Sequence, residues 1–376
     1  MAVSAPADDP VPFADPAADQ APLAEALAAA AARVVRSGRY ILGAEVEGFE
    51  RELAEASGVA HAIGVSSGTD ALLAMLAAAG VGPGDEVVTS PFSFFATAGA
   101  IVRAGARPVF ADVDPLTLNL DPDAALERLG PRTKAVLVVH IFGRCMPLAA
   151  LPAACAARGI ALLEDAAQAV GAVDAGGRRV GAGTTAAALS FFPTKNLGGF
   201  GDGGAVLTDD AAFAAQVRRL RVHGADGKNH HVAIGGNFRL DALQAALLRV
   251  KLPHLPAWTA ARRRLAARYR AGLAGAALAL PPDEAGCVWN QFVVRVPAGR
   301  RARLSVELAR AGIGSEIYYP TPLHLQPALR GLGHAPGDFP IVERACEEVL
   351  ALPLHPALAD TTVDRVVSTV RASLTA

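Results

Sequence analysis

Residues 190–205 read SFFPTKNLGGFGDGGA and set one lysine, Lys195, between an apolar run and a string of glycines. The chain carries 35 lysines and arginines, and only Lys134, Lys195, Lys228 and Lys251 are lysine. Arginine stays protonated in proteins, whereas a desolvated lysine can give up its proton and act as nucleophile or base. A lysine written where the chain usually writes arginine points to amine chemistry at Lys195. The competing reading is a surface lysine in a turn.

Two further stretches carry chemistry. In IALLEDAAQAVGA (160–172), Glu164 and Asp165 end a run that reads as a buried strand, and Gln168 follows three residues later. Ligands of parallel α/β sheets sit beyond the carboxyl ends of strands. A carboxylate there is either a solvated loop acid or the partner of a protonated ring nitrogen, with Gln168 in reach of the same ligand. In GVSSGTDALLAML (64–76), a strand passes through a small polar turn into a helix. Ser67, Gly68 and Thr69 fall at the helix start, where free N–H groups and the helix dipole favour a phosphate. An ordinary N-cap, Ser67 with Asp70 three residues on, is the competing reading.

The elements that must position these residues are legible as an alternation. Apolar runs at 61–67, 85–90, 107–113, 134–140, 160–165, 187–192 and 204–209 read as strands. Between many of them lie alanine- and leucine-rich helical stretches, as at 70–80 and 147–159. That pattern predicts an α/β fold, a mostly parallel sheet with helices on both faces. The string Gly199–Gly204 formally matches the dinucleotide motif GxGxxG, but a strand follows it where a helix N-terminus is required. After about residue 239 the pattern changes. Two long helices (239–252 and 259–275), with Pro253 and Pro256 between them, precede strands at 290–296 and 312–319 and a final helix pair. The expected organisation is a mobile tail over 1–12, a large α/β domain over 13–250 and a smaller α+β domain over 251–376.

Composition removes other classes. Apolar residues make up 52% of 376, charged residues 19%, and the net charge is −1, so a large core is available and nothing favours nucleic acid or an anionic membrane. No uninterrupted apolar segment is long enough to span a membrane, and the N-terminus lacks the basic and apolar regions of a secretory signal. Cys145, Cys155, Cys287 and Cys346 form no CxxC pair, which argues against a structural metal or disulfide scaffold and fits a reducing compartment. No metal is expected, and the predicted location is cytoplasmic.

A phosphate cradle, a strand-end aspartate and a lone lysine are together the parts of a pyridoxal phosphate site. The sequence then resembles the DegT/DnrJ/EryC1/StrS aminotransferases, which make amino sugars on nucleotide carriers. The resemblance rests on YILGAEVEGFE, GVSSGTDALLA, GDEVVTSPFSFFATA, PVFADVDP, EDAAQAVGA, SFFPTKNLGGFGDGGAVLT, GNFRLDALQAALLRVKLPHL and YYPTPLHLQPAL. These stretches run in family order from about residue 40 to 330. The resemblance implies the aspartate aminotransferase fold (fold type I), working as a homodimer with shared active sites. It makes Lys195 the Schiff-base lysine and Asp165 the partner of the pyridinium nitrogen, with Gln168 near the phenolic oxygen and Phe94 stacked on the ring. Ser67, Gly68, Thr69 and Ser190 would bind the phosphate, and Asn237 would reach the cofactor phosphate of the neighbouring subunit. Tyr318, Tyr319 and His324 would line the sugar side. The implied reaction moves an amino group from L-glutamate to a keto sugar nucleotide, a dTDP- or UDP-linked keto-deoxyhexose. PTKNLGGFGDGG leans toward amination at C3. Relatives with histidine in place of the lysine act as dehydratases, so Lys195 favours transamination. A keto-cyclitol acceptor and a non-catalytic cofactor-binding regulator are the alternatives. The chain departs from the family pattern in its longer, proline-rich N-terminus.

Overall fold

The computed structural model describes residues 9–297 and 299–375. Seven strands form the central sheet: β1 (His61–Val65), β2 (Glu86–Thr89), β3 (Arg107–Phe110), β4 (Thr133–Val139), β5 (Ala161–Asp165), β6 (Ala186–Ser190) and β7 (Gly204–Thr208). Their order is β1-β7-β6-β5-β4-β2-β3. β7 runs antiparallel to both its neighbours, and every other pairing is parallel. Apolar clusters cover the two faces of this sheet, which is why strands such as β4 and β7 are near-continuous apolar runs rather than alternating ones.

A second core gathers Leu265, Tyr269, Phe292, Leu308, Leu350, Val366 and their neighbours. Its sheet pairs β8 (Phe292–Arg295) antiparallel to β9 (Val349–Leu352). The strand expected at 312–319 is absent. That segment makes only single bridges, Ile313 to Val11 and Glu316 to Ala351. It leaves the ladder because Gly314 is packed against Phe13 and the chain beyond it turns Tyr318 and Tyr319 toward the large cavity described below. β9 takes the edge instead.

The proline reading also shifts. One helix spans Ala242–Lys251, a 3₁₀ turn follows over Leu252–His254, and the next helix is Leu255–Leu273. Pro256 lies in the first turn of that helix, where its missing N–H breaks no bond. Of the expected mobile tail 1–12, residues 1–8 lie outside the described residues. Val11 does not behave as a tail: it is 5% exposed, its N–H donates to the Gly312 carbonyl (2.8 Å), and its carbonyl accepts from Gly314 (2.8 Å).

Candidate active site

The strand-end rule organises the site. β5 ends in Glu164 and Asp165, and the two-residue period of a strand sends their side chains to opposite faces. Glu164 is fully buried and belongs to a structural network. It accepts from Arg178 Nη1 (3.1 Å), Thr184 Oγ1 (2.5 Å) and the Gly181 N–H (3.2 Å), and it pairs with His140 Nε2. Burial raises its pKa, but His140 and Arg178 outweigh that and hold it below the usual carboxylate range.

Asp165 is 6% exposed and faces the cavity. Its Oδ2 accepts from Thr97 Oγ1 (2.6 Å) and its Oδ1 from the Ala167 N–H (3.2 Å). Thr97 has one hydroxyl proton and gives it to Asp165, so Ser93 Oγ, 2.7 Å away, is the donor to Thr97. Both carboxylate oxygens are therefore held in place by hydrogen-bond donors.

Lys195 sits in the turn that follows β6, its N–H donating to the Phe192 carbonyl (2.8 Å). Desolvation pulls its pKa down to about 8, against an upward pull from the Asp165 carboxylate. A normal lysine titrates near 10.5, so one unit above its own pKa this amine is largely neutral while an exposed one is still cationic.

The helix Gly68–Ala78 begins beside the end of β6. Ser67 caps it, its Oγ accepting from the Asp70 N–H (3.0 Å), and the N–H groups of Gly68 and Thr69 have no carbonyl one turn earlier to bond. A Cβ on Gly68 would lie 2.7 Å from Ser190 Cβ, so only glycine lets the helix start approach Ser190 this closely. The result is a cradle of N–H groups with the Thr69 and Ser190 hydroxyls at the positive end of a helix, which fits a phosphate, while the Ser67 hydroxyl donates to Asp70 Oδ2 (2.9 Å).

One cavity of about 590 Å³ gathers Lys195, Asp165, Gln168, Ser67, Gly68, Thr69, Ser190, Phe94, Tyr318 and Tyr319. That is within the range of pockets for drug-sized ligands and cofactors. Gln168 accepts from the Phe142 N–H (2.6 Å) and donates to the Tyr319 hydroxyl (3.2 Å), which fixes its amide in the cavity wall. The Phe94 ring is 61% exposed and 6.4 Å from the Tyr319 ring, so one face is open to a ligand. Burial and the nearby Asp165 raise the pKa of the Tyr319 hydroxyl and keep it protonated.

Two predicted residues stand elsewhere. Asn237 lies exposed, paired with Val222, and does not line the cavity. His324 was expected on the sugar side, but it is 1% exposed, stacks edge-on against Phe339 (4.7 Å) and pairs through Nε2 with Glu343 (3.1 Å). The 3₁₀ turn Leu323–Leu325 points it into that apolar cluster instead.

The cavity also contains residues the sequence reading did not name: His140, Asp202, Gln291 and Ser93, with Thr97 behind Asp165. His140 directly follows β4 as Asp165 ends β5, so the strand-end argument applied evenly finds it. Ser93 and Thr97 carry a weaker signal, two hydroxyls four residues apart. Among the described residues no three His, Cys, Asp or Glu side chains are placed to hold a metal, and no helix is long and apolar enough to cross a membrane. All four cysteines are free and buried.

A lysine of lowered proton affinity, a held carboxylate, an open aromatic face and a phosphate cradle fit pyridoxal phosphate on every side of the molecule. The model of the DegT/DnrJ/EryC1/StrS aminotransferase family matches residues 22–371. A "pleiotropic regulatory protein" of Geobacillus stearothermophilus is 46% identical over 332 residues, 87% of this chain and 88% of its own. The dTDP-3-amino-3,4,6-trideoxy-alpha-D-glucose transaminase of Streptomyces venezuelae is 43% identical over 364 residues, 96% of this chain and 95% of its own. The solved structure of NtdA from Bacillus subtilis with bound cofactor PMP superposes with a TM-score of 0.92 at 30% identity, covering 98% of this chain and 86% of that one. The chain has the fold of the pyridoxal phosphate aminotransferases and belongs to the DegT/DnrJ/EryC1/StrS aminotransferase family.

Proposed function

We propose that this aminotransferase moves an amino group from L-glutamate to the C3 keto group of a dTDP- or UDP-linked deoxyhexose, in amino-sugar biosynthesis. The observation that carries the reading is the joint placement of Lys195 and Asp165 in one cavity large enough for the cofactor and a sugar. The names of the sugar-nucleotide transaminases among its relatives support the acceptor class. When bound, pyridoxal phosphate supplies a carbonyl carbon that condenses with amines and a ring that accepts the electrons of a broken C–H bond. The chain does the rest. Gly68, Thr69, Ser67 and Ser190 hold the phosphate, and Phe94 covers the ring. Asp165, held by Thr97 and the Ala167 N–H, favours a protonated ring nitrogen. Gln168 orients the phenolic oxygen side. Lys195 Nζ, its proton affinity lowered by burial, takes the α-hydrogen of the donor as a proton and returns a proton to the acceptor in the second half of the cycle. Tyr318 and Tyr319 line the approach of the sugar.

The experiment is in two halves. L-glutamate added to the holoenzyme should convert the visible cofactor absorbance to that of the amine form. That amine form should then be consumed by a 3-keto sugar nucleotide and give an aminated product by mass. Conversion by glutamate with no keto sugar nucleotide accepted would overturn the acceptor assignment. The regulatory name of one relative favours a second reading, a cofactor-binding protein without turnover, and conversion of the cofactor by no amino acid donor would support that one.

The second part of the proposal is a homodimer in which Asn237 reaches the neighbour's cofactor phosphate. Its exposure, away from its own cavity, supports this. Asn237→Asp sets a carboxylate against that phosphate and should inactivate, as should Lys195→Ala. If Asn237 acts across the interface, dissociating and re-pairing the two variants leaves one site of each mixed dimer with both lesions and one with neither. Activity should then return to about a quarter of the sites. No recovery, with mixed dimers confirmed by mass, would rule out the shared site.

A further inference from the structure

The loop that carries Lys195 is tied down at two points by one helix. Gln244, in the first turn of Ala242–Lys251, accepts a hydrogen bond from the Phe200 N–H at its Oε1 (2.8 Å). Lys251, in the last turn, donates from Nζ to the Gly198 carbonyl. Lys251 is 3% exposed, an unusual place for an ammonium group. Its charge stands 5.4 Å from the Phe200 ring centroid and 5.8 Å from that of Trp258, so two aromatic faces replace part of the lost water. Burial lowers its pKa to about 8, and the Asp19 carboxylate works against that fall.

The carbonyl it holds has no freedom of its own. A Cβ on Gly198 would meet the Pro193 carbonyl oxygen at 2.2 Å, so residues 193–198 close tightly on themselves with Lys195 in the middle. The Gly199 N–H donates to Phe191 O (2.7 Å), and Asn196 Nδ2 donates to Val288 O (2.8 Å), completing the frame. Lys195 and Lys251 line the same small cavity of about 20 Å³, together with Asp19 and Arg262. An apolar residue at 251 would leave the Gly198 carbonyl buried and unbonded, and the turn would move to find a partner.

We propose that Lys251 is a positioning residue: its ammonium, seated between Phe200 and Trp258, holds the Gly198 carbonyl and thereby sets where Lys195 stands relative to Asp165. The role rests on the cofactor site and is independent of the identity of the acceptor sugar.

The test uses the holoenzyme without donor or acceptor, so failure of the sugar assignment does not bear on it. Lys251→Met keeps the length and removes the donor and the charge. It should weaken cofactor binding by about tenfold or more. It should also displace the pH midpoint of the bound cofactor's visible absorbance by about half a unit or more, because Lys195 and Asp165 no longer face each other as before. Phe200→Leu alters only a half-exposed ring of the seat and should move both quantities the same way by less. A Lys251→Met protein whose melting temperature falls while cofactor affinity and midpoint stay at the parent values would reduce Lys251 to a packing role and overturn the proposal. Should Lys251→Met fail to fold, unchanged affinity and midpoint in Phe200→Leu would overturn it as well.

Discussion

Lys195→Ala should give a folded protein with no visible cofactor absorbance of the lysine-bound form and turnover reduced by about 10²–10⁴-fold, the usual worth of a positioned acid–base group. The structure adds a pH signature to the parent protein. Only the neutral amine attacks a carbonyl, and desolvation places the Lys195 pKa at about 8. Cofactor capture by the apoprotein should therefore accelerate as the pH rises, with a midpoint near that value, and level off above it. A lysine in water would still be gaining at pH 10. Borohydride reduction of the holoenzyme followed by peptide mapping should find the cofactor on Lys195. Finding it on Lys134, Lys228 or Lys251 would refute the assignment, and a capture profile still rising at pH 10 would refute the desolvated environment.

Asp165→Asn should leave the site's shape nearly unchanged and still remove most of its activity. An asparagine oxygen can accept the Thr97 hydroxyl that Asp165 now accepts at 2.6 Å, and only the longer bond from the Ala167 N–H (3.2 Å) is given up, so the side chain has reason to stay in place. What disappears is the negative charge that favours a protonated ring nitrogen. In a dry site, removing one preorganised electrostatic contact costs about 2.7–4 kcal/mol, or about 10²–10³-fold in rate. The loss should appear in the donor half-reaction as slower α-hydrogen removal, with a larger kinetic isotope effect when the donor carries α-deuterium, while cofactor content stays close to that of the parent. A variant within about threefold of the parent in that single-turnover rate would make Asp165 a bystander.

Much of the site could be read locally because its parts are defined by residue type and by their place on one element. Lys195 stands out as a lysine in an arginine-using chain. Asp165 ends a run of apolar residues, and Ser67, Gly68 and Thr69 join a strand to a helix. What sequence order hides is the contact between distant segments. Thr97 matters because it lies 68 residues from Asp165 in the chain and 2.6 Å away in space. Glu164 looked equivalent to Asp165 until strand alternation and the His140–Arg178–Thr184 network separated a structural acid from a cavity acid. His324, in a stretch that matches the family, turned out to serve an apolar cluster with Phe339, because a short 3₁₀ turn decides its direction.

The same division runs through the fold. The alternation of apolar runs with helical stretches determined the seven sheet strands and the α/β class, since a buried strand and an amphipathic helix are each marked by their own period. Strand neighbours and directions were decided only in three dimensions. β7 lies between β1 and β6 and antiparallel to both, which no local pattern encodes, and β9 replaced the strand expected at 312–319. Val11 is the clearest case: its stretch is polar and proline-rich like a tail, but it gains two backbone hydrogen bonds and burial from Gly312–Gly314, some 300 residues downstream. Side-chain chemistry and local period are properties of a short segment and survive in the sequence. Register, burial and the partner of each polar atom are properties of the packed whole, where water has been excluded and every buried donor must find an acceptor.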